Sequence, residues 1–222
     1  MGKITNIWPH DLLTFTNDDD LILEENPLPE WAKDSLSKAK IVVVRRGQFK
    51  NGLIPIPVGL RGYERNQRLA GYLKKSSIVK QYHPDYFIKH ESWCDLPIER
   101  QKLIAFQALV KIAPLLTDYQ WGISGSLAYE MATGVKMVKE SPEHTSDLDL
   151  IMPDLPKMNV AEARKFLARL NQFCTHADVQ VVYGENGFSL EEYALGRDQQ
   201  ILIKTATGPI LSENPWQAIK EG

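Results

Sequence analysis

Apolar residues alternate with polar ones, or run on in short Val- and Ile-rich stretches, at several places along the chain. Each place predicts a strand. Near the N-terminus the runs are Ile41 to Arg46 and Leu53 to Val58, with Gly47 to Gly52 between them as a hairpin connection. Pro55 and Pro57 lack the amide a central strand would use, so they mark the second run as an edge strand or as the end of one. Asn66 to Leu73 reads as a short helix at best. A polar, aromatic stretch from His83 to Pro97 then gives way to helical periodicity, with Leu103, Phe106, Val110 and Ala113 on one face. Asp95 suits its N-cap, Pro97 its first turn and Pro114 its end.

Beyond this helix the period switches repeatedly between two and 3.6. A short strand from Tyr119 to Ser124 leads into a helix from Ser126 to Thr133 that Gly134 ends. A strand follows at Asp147 to Met152, and Pro153 and Pro156 interrupt the chain. Asn159 then opens a helix with Glu162 three residues on, the capping-box spacing. Its apolar stripe of Val160, Ala163, Leu167, Leu170 and Cys174 places Cys174 in the core. Strands at Asp178 to Tyr183 and Ile201 to Lys204 complete an α/β module.

The expected fold is thus α/β (α+β), with a nucleotidyltransferase-like mixed sheet and flanking helices at 86–222. A smaller β-rich α+β domain precedes it at 1–85. A length of 222 residues suits two such modules better than one. The 43% hydrophobic content is enough for packed cores. No apolar run is long enough for a membrane helix and no secretory signal stands at the N-terminus, so a cytoplasmic protein is expected. Two cysteines do not make a disulfide framework.

Charge changes the picture. The net charge of -2 hides a block from Ile41 to Lys80 with nine basic residues (Arg45, Arg46, Lys50, Arg61, Arg65, Arg68, Lys74, Lys75 and Lys80) against Glu64 alone. That block carries +8 and the remainder -10. Such a block is either a solvated face or a surface for a polyanionic ligand or acidic partner.

Candidate chemistry concentrates in Ser146-Asp147-Leu148-Asp149-Leu150-Ile151. In a strand, Asp147 and Asp149 share one face while Leu148 and Leu150 point to the core. Two carboxylates about 6 Å apart repel by roughly 3 kcal/mol at an effective dielectric near 20, and by well under 1 kcal/mol in water, so burial decides whether a cation is required. Asp178 opens the next strand, and three acids at one end of a sheet are what a two-Mg²⁺ phosphoryl or nucleotidyl transfer site needs. Upstream, Gly125 lets backbone approach phosphate, and Ser126 starts a helix whose free N–H groups suit an anion. An ordinary N-cap serine is the plainer alternative for Ser126. His83, His90 and Cys94 fit no usual zinc spacing. His10 and Asp11 read as a structural pair, and His144 as a surface residue of the loop before the acids.

The order strand, Gly-Ser, helix, Asp-x-Asp and a third acid on a later strand resembles the DNA polymerase β-like nucleotidyltransferases. The separation of Ser126 from Asp147 is longer here, which implies a loop insertion near Val135 to Thr145. Separated blocks narrow the likeness: Trp8-Pro9-His10-Asp11-Leu12; Ile56-Pro57-Val58-Gly59-Leu60-Arg61-Gly62 with Arg65 and Gln67-Arg68; Trp121 to Ser126; Glu130 to Gly134; Ser146 to Leu150; and Lys204-Thr205 with Gly208-Pro209. Together they resemble the malonate decarboxylase holo-acyl-carrier-protein synthases, also called phosphoribosyl-dephospho-coenzyme A transferases.

That resemblance implies 2′-(5″-triphosphoribosyl)-3′-dephospho-coenzyme A as substrate and a serine of the apo acyl carrier protein subunit of malonate decarboxylase as acceptor. It implies Mg²⁺ at Asp147 and Asp149, with Asp178 as third ligand or base from the wider superfamily pattern. Arg61, Arg65 and Arg68 are then candidates for the substrate's phosphates or the carrier, and Lys204 for the leaving pyrophosphate. Arg45 and Arg46 alternate faces, so at most one reaches the same place. The rivals are another nucleotidyltransferase, acting on citrate lyase's carrier, a small molecule or nucleic acid, and a binding module without chemistry. The acidic remainder of the chain argues against extensive nucleic-acid binding.

Overall fold

The computed structural model describes residues 4, 6–25, 27–47, 55–141, 145–196 and 199–221. The chain divides into two compact units, Met1–His83 and Pro84–Gly222. Lys50, His144 and most of the expected Gly47 to Gly52 connection lie outside the described residues. Among the described residues no helix is long and apolar enough to cross a membrane.

The first unit contains β1 (Leu12–Phe15), β2 (Leu21–Leu23), α1 (Glu30–Lys38), β3 (Ile41–Val44), β4 (Pro55–Arg61), β5 (Arg68–Lys74) and β6 (Ile78–Tyr82). The strands form one antiparallel sheet in the order β2-β5-β4-β3-β1-β6. Leu13 lies opposite Val42, Val44 opposite Val58, and Ile56 opposite Leu73, so one face is continuously apolar. Ala32 and Leu36 of α1 join that core.

Two expectations fail in this unit. Arg68–Lys74 is a strand, because Leu69, Gly71 and Leu73 share the buried face of the sheet, and pairing with β4 outweighs any local helical tendency. The proline-bearing strand β4 is internal, lying between β5 and β3. It accommodates Pro57 where its neighbour β3 ends: the Pro57 carbonyl accepts from the Arg45 N–H at 2.9 Å, and the amide that proline lacks lies on that same side, so the ladder with β3 stops there.

The second unit runs α2 (Tyr86–Lys89), α3 (Ile98–Gln101), α4 (Ile104–Ile112), β7 (Gly122–Ile123), α5 (Gly125–Thr133), β8 (Leu148–Pro153) and α6 (Val160–Leu170). It continues with β9 (Ala177–Tyr183), β10 (Asn186–Ser189), α7 (Leu190–Leu195), β11 (Ile201–Thr205), β12 (Gly208–Ser212) and α8 (Pro215–Glu221). Its sheet is mixed, ordered β12-β11-β10-β9-β8-β7, with β8 and β9 parallel and the other pairs antiparallel. The β8-α6-β9 passage is the crossover that parallel pairing requires. Asn159 accepts from the Glu162 N–H while Glu162 accepts from the Asn159 N–H, so the capping box forms as its spacing predicts.

Local details depart from the periodicity. Helix α4 starts only at Ile104, with Leu103 as N-cap, while Pro97 caps the four-residue α3 and Asp95 ends a 3₁₀ turn. The buried face of α4 is Ala105, Phe106, Ala108, Leu109 and Ile112, and Val110 is exposed. Helix α6 stops at Leu170. Cys174 therefore leaves the stripe, adopts φ 63° and is exposed rather than core.

Candidate functional site

Strand β8 separates its residues by face as alternation demands. Leu148 and Leu150 are fully buried on one side, and Asp149 is half-buried on the other. In the parallel register, Asp149 lies directly beside Asp178 of β9. Strands stand about 4.8 Å apart, so the two acidic side chains leave the sheet on one face as close neighbours.

On its other flank β8 meets β7, and the Ser124 N–H donates to the Asp149 carbonyl at 2.8 Å. The chain then turns through Gly125, whose φ of 66° favours glycine, and α5 begins. Any Cβ on Gly125 would lie 1.7 Å from Asp149 Oδ2. Glycine is thus required twice, for conformation and for room, and the Asp149 carboxylate abuts the start of α5. Ser126 is not the N-cap. That position belongs to Ser124, which makes no capping bond with its side chain, whereas Ser126 is buried in the first turn.

Asp147 stands one residue before β8. Its carboxylate is 42% exposed, and its nearest ionic neighbour is His176, with Nδ1 3.8 Å from Oδ1. The other ring nitrogen of His176 lies 3.3 Å from Glu191. Among the described residues no group of three or more His, Cys, Asp or Glu side chains is gathered closely enough to hold a metal ion. The donor set on the shared strand face is the Asp149–Asp178 pair. Two carboxylates suit Mg²⁺, which keeps several waters and commonly takes one or two protein carboxylates with substrate phosphates.

The loop that delivers Asp147 is tied down from behind. Buried Glu130 of α5 accepts from Arg100 at 2.6 and 2.9 Å, and from the Met137 and Val138 N–H groups at 2.8 Å each. The Lys139 N–H donates to Ser146 Oγ at 2.9 Å, and the Ser146 N–H donates back to the Lys139 carbonyl at 3.0 Å. The long connection between Ser126 and Asp147 is therefore an ordered clamp, at least over 137–141 and 145–147.

Lys204 of β11 lies on the same face as the acids. Its Nζ donates to Gln180 Oε1 at 3.2 Å, and Gln180 Nε2 donates to Asp178 Oδ1 at 3.1 Å. Sequence reasoning gave no role to Gln180 or His176, and Glu130 entered only as part of a family block. Gln180 had a signal, since it is two residues from Asp178 and so shares its face.

The candidate arginines belong to the first unit. Arg61 and Arg68 are cross-strand partners at the end of the β4–β5 hairpin, and Arg65 sits in the turn between them. Arg65 and Arg68 are exposed and Arg61 is half-buried. Arg45 stretches over Gly59, while Arg46 lies 3.3 Å from His10. Asp11 pairs not with His10 but with His83 at 2.8 Å; fully buried, it also accepts from Gln81 and from the Trp8 N–H.

Comparison with known proteins agrees with this architecture in both units. Residues 8–84 match the phosphoribosyl-dephospho-CoA transferase MdcG N-terminal domain, and residues 95–215 match the corresponding C-terminal domain. A phosphoribosyl-dephospho-CoA transferase of Pseudomonas fluorescens (strain Pf0-1) is 35% identical over 85% of each chain. One of Pseudomonas putida (strain W619) is 33% identical over 96% of each, and one of Klebsiella pneumoniae (strain 342) is 31% identical over 94% of this chain and 95% of its own. No solved structure matches the chain. With both domains matched and relatives aligned almost end to end, the chain belongs to the phosphoribosyl-dephospho-CoA transferase family and is a transferase enzyme.

Proposed function

We propose that the protein transfers the 2′-(5″-phosphoribosyl)-3′-dephospho-coenzyme A group from its triphosphoribosyl donor to a serine of the apo acyl carrier protein subunit of malonate decarboxylase. The serine oxygen forms a bond to the donor's α-phosphorus, the bond from that phosphorus to the β-phosphate bridging oxygen breaks, and pyrophosphate leaves. The serine proton passes to a base or to water. The product is a phosphodiester, and the reaction takes place in the cytoplasm.

The observation that carries this reading is the placement of Asp149 beside Asp178, with the Asp149 carboxylate against Gly125 at the start of α5. Asp149 and Asp178 would hold Mg²⁺, and Asp147 stands two residues before Asp149, just ahead of the same strand. Bound Mg²⁺ supplies charge neutralisation and a template for the phosphoryl oxygens. The first turn of α5, with Gly125 and Ser126, offers backbone N–H groups to a phosphate. Lys204 favours the negative charge that develops on the departing pyrophosphate. Arg61, Arg65 and Arg68 offer guanidinium forks to the substrate's other phosphates or to an acidic carrier surface.

The test is to incubate the protein with Mg²⁺, the triphosphoribosyl donor and apo carrier, and to follow carrier mass and pyrophosphate release. A carrier heavier by the prosthetic group, with equimolar pyrophosphate, is the expected result. An unmodified carrier, a labelled nucleic acid in its place, or full activity in Asp149→Asn would overturn the proposal.

A further inference from the structure

A chain of hydrogen bonds runs over one face of the second sheet from Lys204 to Asp178, and its middle member is a neutral amide. Gln180 is only 7% exposed, flanked by Ile151 of β8 on one side and Ser189 of β10 on the other. Both ends of its amide are engaged. The oxygen accepts from the Lys204 ammonium and the nitrogen donates to the Asp178 carboxylate. The charges at each end fix this orientation, since an ammonium has only donors and a carboxylate only acceptors. Lys204 reaches Gln180 across an intervening strand because its partner on β10 is Gly187, which puts no side chain in the way.

Without the amide, the lysine and Asp178 would be oppositely charged groups on one sheet face with nothing between them. The ammonium would be free to turn toward the carboxylate, and each charge would partly offset the other. Two groups meant for a cation and for an anion would then be weakened at once.

We propose that Gln180 is a positioning residue, a spacer that keeps Asp178 available to a divalent cation and Lys204 available to a phosphate. This inference rests on the proposed function, since it assigns Asp178 to the metal and Lys204 to the polyphosphate.

The test measures Mn²⁺ binding by the decrease of the free-ion electron paramagnetic resonance signal, alongside kcat, KM and the Mg²⁺ concentration for half-maximal rate. Gln180→Leu is expected to weaken Mn²⁺ binding about tenfold, the scale found when a ligand's hydrogen-bonded support is removed. It should also raise the KM for the donor. Gln180→Glu should act in the opposite sense on the metal, because it adds a carboxylate beside Asp178, while still raising donor KM by engaging Lys204. The decisive variant is Gln180→Leu combined with Lys204→Met: with no ammonium to pair with Asp178, Mn²⁺ binding should return to within about twofold of wild type.

Should Gln180→Leu and Gln180→Glu shift Mn²⁺ binding equally, or the double variant bind no better than Gln180→Leu, Gln180 is an ordinary buried hydrogen-bonding residue and the spacer role is wrong. Asp149→Asn separates this failure from a deeper one. If it abolishes Mn²⁺ binding while the Gln180 variants leave binding intact, only the spacer role falls. If it leaves Mn²⁺ binding unchanged, the site assignment falls and the spacer role with it. Gln180→Asn, with the same amide on a shorter arm, should recover part of the lost affinity, and melting curves confirm that each variant is folded.

Discussion

Both sheets have six strands, yet they place charge in opposite ways. In the first unit the strand interiors facing α1 are apolar, and the arginines sit at the tip of the β4–β5 hairpin, outside that core. Arg61 opposite Arg68 puts two like charges at facing positions of the ladder, an arrangement suited to a polyanion. In the second unit Asp149, Asp178, Gln180 and Lys204 stand within the strands themselves and on one face, with Asp149 opposite Asp178, Gln180 two residues along β9, and Lys204 hydrogen-bonded to Gln180. A charge at a hairpin tip can recruit a ligand. A charge fixed within a strand can also hold a reacting group to a set geometry, because its backbone is locked by neighbours on both sides.

That contrast predicts that rate depends on the second sheet and affinity on the first unit's hairpin. The largest effect is expected for Asp149→Asn, which should lower kcat on the order of 10³-fold, as loss of a major electrostatic stabiliser does, with little change in melting temperature. Activity close to wild type would remove the distinction altogether. Next comes Glu130→Ala. It takes the carboxylate away from a nearly buried Arg100 and releases the Met137 and Val138 amides, so it should destabilise the second unit by about 3 to 5 kcal/mol. Calorimetry should show the loss in one of two transitions and leave the first unit's transition in place.

A smaller and different effect is expected for the double change Arg65→Glu and Arg68→Glu. It should raise the KM of the donor or the carrier about tenfold with kcat nearly unchanged, and should flatten the dependence on salt. A fall in kcat instead would place chemistry in the hairpin and blur the contrast. The smallest is Asn159→Ala, which removes one half of a capping box far from any charge on the sheet face. It should cost about 1 kcal/mol in thermal stability and leave kcat and KM alone.

The parts legible in the sequence are those whose cause is local. The alternation in Leu148–Pro153 gives a strand with buried Leu148 and Leu150, and the Asn159 to Glu162 spacing gives a helix start. Gly134 closes α5 in the left-handed conformation, with φ of 73°. The misreadings have non-local causes. Arg68–Lys74 carries Leu69 and Leu73 at strand spacing, but Gly71 between them removes the apolar signal, and only pairing with β4 makes the segment a strand. Cys174 continues a helical stripe on paper, yet the helix has already ended, with Asn171 as its C-cap.

By itself the sequence determined which residues are acidic, which positions alternate, and where glycine frees the chain at 125 and 134. Those are properties of single residues and their near neighbours. The tertiary structure alone decided that Asp149 and Asp178, 29 residues apart, stand side by side, that Asp147 keeps company with His176, and that a glutamine separates Asp178 from Lys204. Parallel register between β8 and β9 is fixed by the length of the crossover through α6 and by which faces are apolar. A slip of one residue would turn Asp178 into the core and Val179 toward Asp149.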